Sequence, residues 1–125
     1  MIRIKRVYSE VSPADGIRIL VDRVWPRGVS KRRAHIVAWR KDLAPSTPLR
    51  KWFGHEPSRW AEFRRRYQAE LNRSDVIEDV LNLAGISRQR TITLLFSAAD
   101  EHHNQAVVLK DLIERCLTQT SKRNA

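Results

Sequence analysis

Apolar and polar positions repeat along the chain with two periods, and each change of period marks an element. Ile2 and Ile4 alternate with Arg3 and Lys5, which predicts a half-exposed strand over Ile2–Tyr8. Ser12-Pro13-Ala14-Asp15-Gly16 is a turn cluster ending in Asp-Gly. Ile17–Val21 is richer in apolar residues and predicts a second, more buried strand. The link between the two is short of the dozen or so residues a parallel crossover needs, so an antiparallel pair is expected. Trp25-Pro26-Arg27-Gly28 breaks the pattern: Pro26 holds Trp25 extended, and Gly28 permits a turn with positive φ. Ser30 is placed to cap a short basic helical turn, and Ile36–Leu43 reads as a short strand.

From here the period lengthens. Thr47-Pro48 is a helix start, with Thr47 as cap and Pro48 at the first helical position, and the helix ends near Gly54. Pro57 opens the next helix, which runs to about Asn72 on the stripe Trp60, Phe63, Tyr67 and Leu71, with Glu62 and Arg66 four apart on its outer side. Ser74 or Asp75 caps a third, striped by Val76, Ile77, Val80, Leu81 and Ala84 and ended by Gly85. Thr91–Phe96 is the strongest strand signal, apolar enough in its second half for the sheet interior. A last helix follows from about Glu101 to Leu117, striped by Val108, Leu109, Leu112, Ile113 and Cys116.

Strands and helices thus mix within a short chain. The expected fold is α/β: a small mixed sheet of three to four strands covered by about four helices, in one domain over residues 1–118. Residues 119–125 are expected to form a flexible tail. A length of 125 residues suits one domain, and a 42% hydrophobic content is too high for a disordered chain. No apolar run of about 18 residues offers a transmembrane helix, so no membrane partner is expected. The single Cys116 excludes an intramolecular disulfide framework and a Cys-rich zinc finger. Charges in Met1–Arg6 occupy the place where a signal peptide keeps its apolar stretch, which points to the cytoplasm.

Charge sharpens the picture. The net charge is +10, and residues 1–60 hold 14 basic and 5 acidic residues against 10 and 9 in residues 61–125. Such asymmetry predicts one electropositive face suited to polyanions or phosphorylated small molecules. Three clusters carry the nucleic-acid alternative: Lys31, Arg32 and Arg33; Arg40 and Lys41; and Arg64, Arg65 and Arg66.

Candidate chemistry gathers at two predicted strand ends. After the second strand come Asp22, Arg23, Trp25 and Arg27, where guanidinium forks suit phosphate or carboxylate and the indole offers a wall. After the strongest strand come Asp100, His102, His103 and Asn104, and ligands of open α/β sheets gather at such ends. Adjacent histidines diverge by about 100° on a helix, so only one can face a given site. His103, with Asp100 orienting it, is the first candidate for proton transfer, and His55 in the loop after Trp52-Phe53-Gly54 is the second. Glu70, beside the apolar stripe, is expected to pair with Arg23. No metal site is expected, and no motif names a cofactor.

Four ordered motifs resemble one family: Val21-Asp22-Arg23-Val24-Trp25-Pro26-Arg27-Gly28, Asp42-Leu43-Ala44-Pro45-Ser46, Trp52-Phe53-Gly54-His55, and the run from Asp100 to Leu109. Together they look like the YeaO-like uncharacterised family, over about residues 2–117. The resemblance implies a compact α/β domain of bacterial type and supplies no catalytic residues. Broader relatives in the superfamily carry a Cys-His-Arg run near the start of the last helix. His102-His103-Asn104 stands there in this chain, so thiol chemistry does not carry over. Three readings follow. The first is a cleft for a phosphorylated or carboxylate-bearing small molecule, with acid/base catalysis as an option. The second is a nucleic-acid-binding surface. The third is a partner-binding module with an exposed apolar patch.

Overall fold

Four strands form one sheet: β1 (Ile2–Arg6), β2 (Ile17–Leu20), β3 (Ala38–Trp39) and β4 (Ile92–Phe96). The computed structural model describes the backbone of residues 1–124 and the side chains of residues 1–118. The strand order is β1-β4-β2-β3, and every neighbouring pair is parallel. The fold is therefore α/β with four strands, and the sheet is parallel rather than mixed. The antiparallel β1–β2 pair does not form, because β4 lies between the two strands. A five-residue strand spans only about 17 Å, so the ten residues between Arg6 and Ile17 retrace it with no more than a one-turn 3₁₀ segment at Pro13–Asp15. β4, buried along its whole length, occupies the interior. The expected strand over Ile36–Leu43 shrinks to two residues at the sheet edge.

Alternation assigns each strand residue to a face. Ile2, Ile4, Ile19, Ile92, Leu94 and Phe96 face the large core under the helices, whereas Val7, Leu20 and Leu95 face a small cluster with Ile36. That second cluster is roofed by the loop between β2 and β3, through Trp25, Val29 and Ala34. Beside it lies a polar knot. Asp15 has no exposed surface and its carboxylate accepts hydrogen bonds from Arg18 Nη1 (2.6 Å), Lys5 Nζ (3.2 Å) and the Ser12 amide (2.9 Å). Thr93 Oγ1 donates to the Asp15 carbonyl (2.6 Å) and Arg18 Nε to the Ala34 carbonyl (2.8 Å), so the knot ties β1, β2, β4 and two loops together. Gly16 follows at φ 63°, and a Cβ built there would stand 2.2 Å from the Thr91 carbonyl oxygen, the acceptor for Ile17 N–H.

The helices are α1 (Thr47–Phe53), α2 (Trp60–Leu71), α3 (Ser74–Ser87) and α4 (Gln105–Asn124). They lie where the periodicity puts them, with differences at their ends. Ser46, not Thr47, caps α1: its hydroxyl accepts from Leu49 N–H and is itself fixed by Glu70, which accepts from the Ser46 hydroxyl (2.5 Å) and amide (2.8 Å). Glu70 therefore binds a helix cap in place of Arg23. A one-turn 3₁₀ segment over Pro57–Arg59 leads into α2. Arg73 is the cap residue of α3, without a side-chain bond, and the helix continues through Gly85. Leu81 faces out, and Leu83 takes its place in the core. The Met1 ammonium caps the end of α3 by donating to the Ser87 carbonyl (2.5 Å), a cation at the negative pole of a helix. α4 begins four residues later than expected: Asp100 closes a tight turn by accepting from the His102 and His103 amides, and Asn104 caps the helix through Ala106 and Val107 N–H. At its other end α4 runs on through Asn124 rather than stopping near Leu117, so the backbone of residues 119–124, expected as a tail, is helical; the side chains of 119–125 lie outside the described residues. Among the described residues no helix is long and apolar enough to cross a membrane.

Candidate functional site

The chain leaves the two central strands in opposite directions. Past β2 it turns onto the loop face to reach β3, and past β4 it enters α4, which packs over β1 and β4. Where neighbouring parallel strands send the chain to opposite sides, a crevice opens at their C-terminal ends. It holds about 230 Å³. Asp22 and Arg23 come from the end of β2, Ser97 and Ala98 from the end of β4, and His103, Asn104 and Gln105 from the approach to α4. Arg50, Lys51, Phe53 and His55 close it from α1 and the turn beyond.

Asp22 lies on the floor and is 6% exposed. Its Oδ1 accepts from Gln105 Nε2 (2.5 Å) and, at 3.4 Å, from the Ser97 amide. Its Oδ2 has no hydrogen-bond partner among the described residues. Burial pushes the carboxyl above its ordinary range, opposed by the Ser97 and Gln105 donors and by the charge of His55. A folded-state value above the unfolded one costs stability as the pH rises through it, and below the unfolded value near 3.8 that cost is absent. Asp22→Asn is therefore expected to raise the melting temperature at pH 7 by about 4 °C, roughly 1 kcal/mol. The gain vanishes in melts below pH 3.8, and an equal gain at both pH values would contradict this account.

Arg23 splits its donors. Nε and Nη2 hold the Pro45 and Ala44 carbonyls at 2.8 and 3.2 Å, and Nη1 has no acceptor among the described residues. Arg50 and Lys51 line the mouth with no ion-pair partner among the described residues. His103 Nδ1 stands 2.8 Å from Asp100 Oδ2, and its ring makes a T-shaped contact with Trp60, centroids 5.2 Å apart. The Asp100 carboxyl is held below its usual range by the His102 amide and then by the His103 ring and amide. That contact favours the proton on Nδ1 and leaves Nε2 of the neutral ring as an acceptor. His55 lines the opposite wall at φ 58°, directly after Gly54 at φ 54°. A left-handed non-glycine residue is a local strain of the kind that clusters at binding sites.

The fold thus brings Asp22, Arg23, His55, His103 and Asn104 to one cleft, with Asp100 behind His103. His102 lines a separate groove beside Trp60 and Arg64. Trp25 and Arg27 lie elsewhere: Trp25 packs edge-on against Trp39 at 5.3 Å and donates to the Val29 carbonyl, and Arg27 is exposed, its carbonyl accepting from Tyr8. Arg50, Lys51, Ser97 and Gln105 were not anticipated as lining residues, although Gln105 lies within the run from Asp100 to Leu109 and Lys51 directly precedes Trp52. Among the described residues no group of three or more His, Cys, Asp or Glu side chains is placed to hold a metal ion.

The basic clusters do not merge. Lys31, Arg32 and Arg33 are exposed on the loop that roofs the second face of the sheet, whereas α2, with Arg64–Arg66, packs on the first. Arg64 pairs with Asp111, Arg65 and Arg66 with Glu62, and Arg40 with Asp42 and Asp79, while Lys41 sits over the Trp39 ring.

Fold and site together define a small parallel α/β protein with a cleft at its strand ends lined by charged and apolar side chains. The chain belongs to the family described as the inactive DUF488-N3 subclade, whose model matches residues 1–125. It is similar to the uncharacterised protein YeaO of Escherichia coli strain K12, 44% identical over 110 residues that cover 88% of this chain and 94% of the relative. Uncharacterised proteins of Mycobacterium bovis and Mycobacterium tuberculosis are 41% identical over 112 residues, 90% of this chain and 92% of each relative. No solved structure matches.

Proposed function

We propose that this protein binds a small phosphorylated or carboxylate-bearing molecule in the cleft between the ends of β2 and β4. The observation that carries the reading is the set of three cations, Arg23, Arg50 and Lys51, lining one crevice with donors left over. Those of α2 and Arg40 are, by contrast, neutralised by carboxylates of the same chain. A volume of about 230 Å³ lies below the roughly 300–1,000 Å³ typical of drug-sized ligands, so the molecule is small. The family's description as inactive favours binding without turnover.

The Asp100–His103 contact favours a second reading, proton transfer at His103 Nε2 on the bound molecule. Recovering the ligand unchanged after prolonged incubation supports binding alone. Conversion that His103→Ala abolishes supports catalysis.

The test is a thermal-shift panel at near-physiological salt, holding phosphate esters, small carboxylates, short RNA and duplex DNA. A ligand at 100 times its Kd adds about 2.7 kcal/mol, on the order of 10 °C for a chain of this length. Arg50→Ala with Lys51→Ala is expected to weaken anion binding about tenfold or more and to leave the unliganded melt unchanged, since both side chains are exposed. Equal binding by the double variant, or shifts from nucleic acid alone, would overturn the reading.

A further inference from the structure

Two buried side-chain atoms lack a hydrogen-bond partner among the described residues, Arg18 Nη2 and Asp22 Oδ2. Only Asp22 lines the cleft. Buried polar atoms without partners are few in native proteins, and each asks for an explanation. The neighbouring Ser97 hydroxyl lies close enough to ease the charge of this carboxyl but outside hydrogen-bond geometry to Oδ2.

The floor and the mouth of the cleft make opposite demands. Arg23, Arg50 and Lys51 favour negative charge. The carboxyl of Asp22 repels a phosphate or carboxylate oxygen pressed against it. A bare anion satisfies the mouth and offends the floor. A molecule with an anionic group at one end and a hydrogen-bond donor at the other satisfies both. A hydroxyl serves better than an ammonium group, because it donates to a carboxylate and accepts from a carboxylic acid.

We propose that the ligand is a small hydroxylated anion, of the polyol phosphate or hydroxy acid class. Its charged group meets Arg23, Arg50 and Lys51, and a hydroxyl binds Asp22 Oδ2. This rests on the anion-binding reading above and adds to it the identity of the second group. Gln105 is the positioning residue: its amide holds Oδ1, which leaves Oδ2 as the carboxyl oxygen without a donor among the described residues.

The test uses matched pairs that differ only in hydroxyls, glycerol 3-phosphate with propyl phosphate and glycerate with propanoate, titrated calorimetrically into the full chain. In at least one pair the hydroxylated member is expected to bind about tenfold or more tightly, since a site built around a hydroxyl discriminates against the analogue lacking it. Asp22→Leu is expected to remove that preference and, with the repulsion at the floor gone, to tighten binding of the plain anion. The wild-type comparison decides the matter if the variant does not fold. Equal affinities within each pair would overturn the assignment of Asp22 while the anion-binding reading stands. Binding of neither member of either pair would overturn both.

Discussion

Replacing Asp15 by alanine is expected to destabilise the protein by about 3 kcal/mol, roughly 10 °C in melting temperature. Removing one partner of a buried ion pair strands the other. Arg18, whose side chain is 3% exposed, would keep its charge with the Ala34 carbonyl as its remaining acceptor. The lower end of the usual range applies because Lys5 and Arg3, at 21% and 41% exposure, can turn to water once the carboxylate has gone. The same group sets an acid limit. Burial alone would raise the Asp15 carboxyl, but the Ser12 amide, Lys5 and Arg18 together hold it below its ordinary value of 3.8. A depressed folded value adds stability above the unfolded one and loses it as the pH falls through the folded one. Denaturant midpoints of the wild type should therefore drop below about pH 4, and those of Asp15→Asn should be flatter across the same window. Parallel pH profiles for the two proteins would show that the knot contributes no linkage.

Gly16→Ala is the second large effect, expected to cost about 3 kcal/mol or more. Two penalties coincide there. The residue has φ 63°, and the added Cβ would stand 2.2 Å from the Thr91 carbonyl oxygen, which cannot withdraw without releasing Ile17 N–H. Gly28 separates the two contributions: it has φ 75° but nothing within 4 Å of a built Cβ. Gly28→Ala should therefore cost only about 1 kcal/mol. Equal losses in the two variants would mean that crowding at Gly16 is relieved by movement of β4. Both predicted effects bear on the site, because the knot and Gly16 fix the start of β2, and its end delivers Asp22 and Arg23 to the cleft.

The elements were legible because their periods are clean. Ile2/Ile4 and the Thr91–Phe96 run name β1 and β4, and Phe63, Tyr67 and Leu71 name the buried face of α2. Strand order was not legible. A short link favours pairing of sequential strands, and nothing local to Arg6–Ile17 reports that a strand 75 residues further on will enter between them. Cap positions failed where two competent residues adjoin, as with Ser46 and Thr47, because Glu70 decides between them from another helix. In the site, residues at strand ends were found by the rule that ligands gather there. Arg50 and Lys51 were missed because exposed cations on a helix look the same in sequence whether they face bulk water or a crevice. Trp25 was misplaced for the converse reason: an indole in a turn gives no sign that its partner is Trp39.

The sheet is roofed unequally, by four helices on one face and by a loop over a cluster of four buried residues on the other. Cooperative opening follows buried apolar contact, so the molecule should not unfold as one block. Backbone amides of residues 23–39 are expected to exchange with solvent deuterium orders of magnitude faster than those of β4, through an event that lifts the loop and the two-residue edge strand while the helical side stays closed. Because Asp22 and Arg23 sit at the hinge of that event, occupation of the cleft should slow exchange in the roof, although the ligand never touches it.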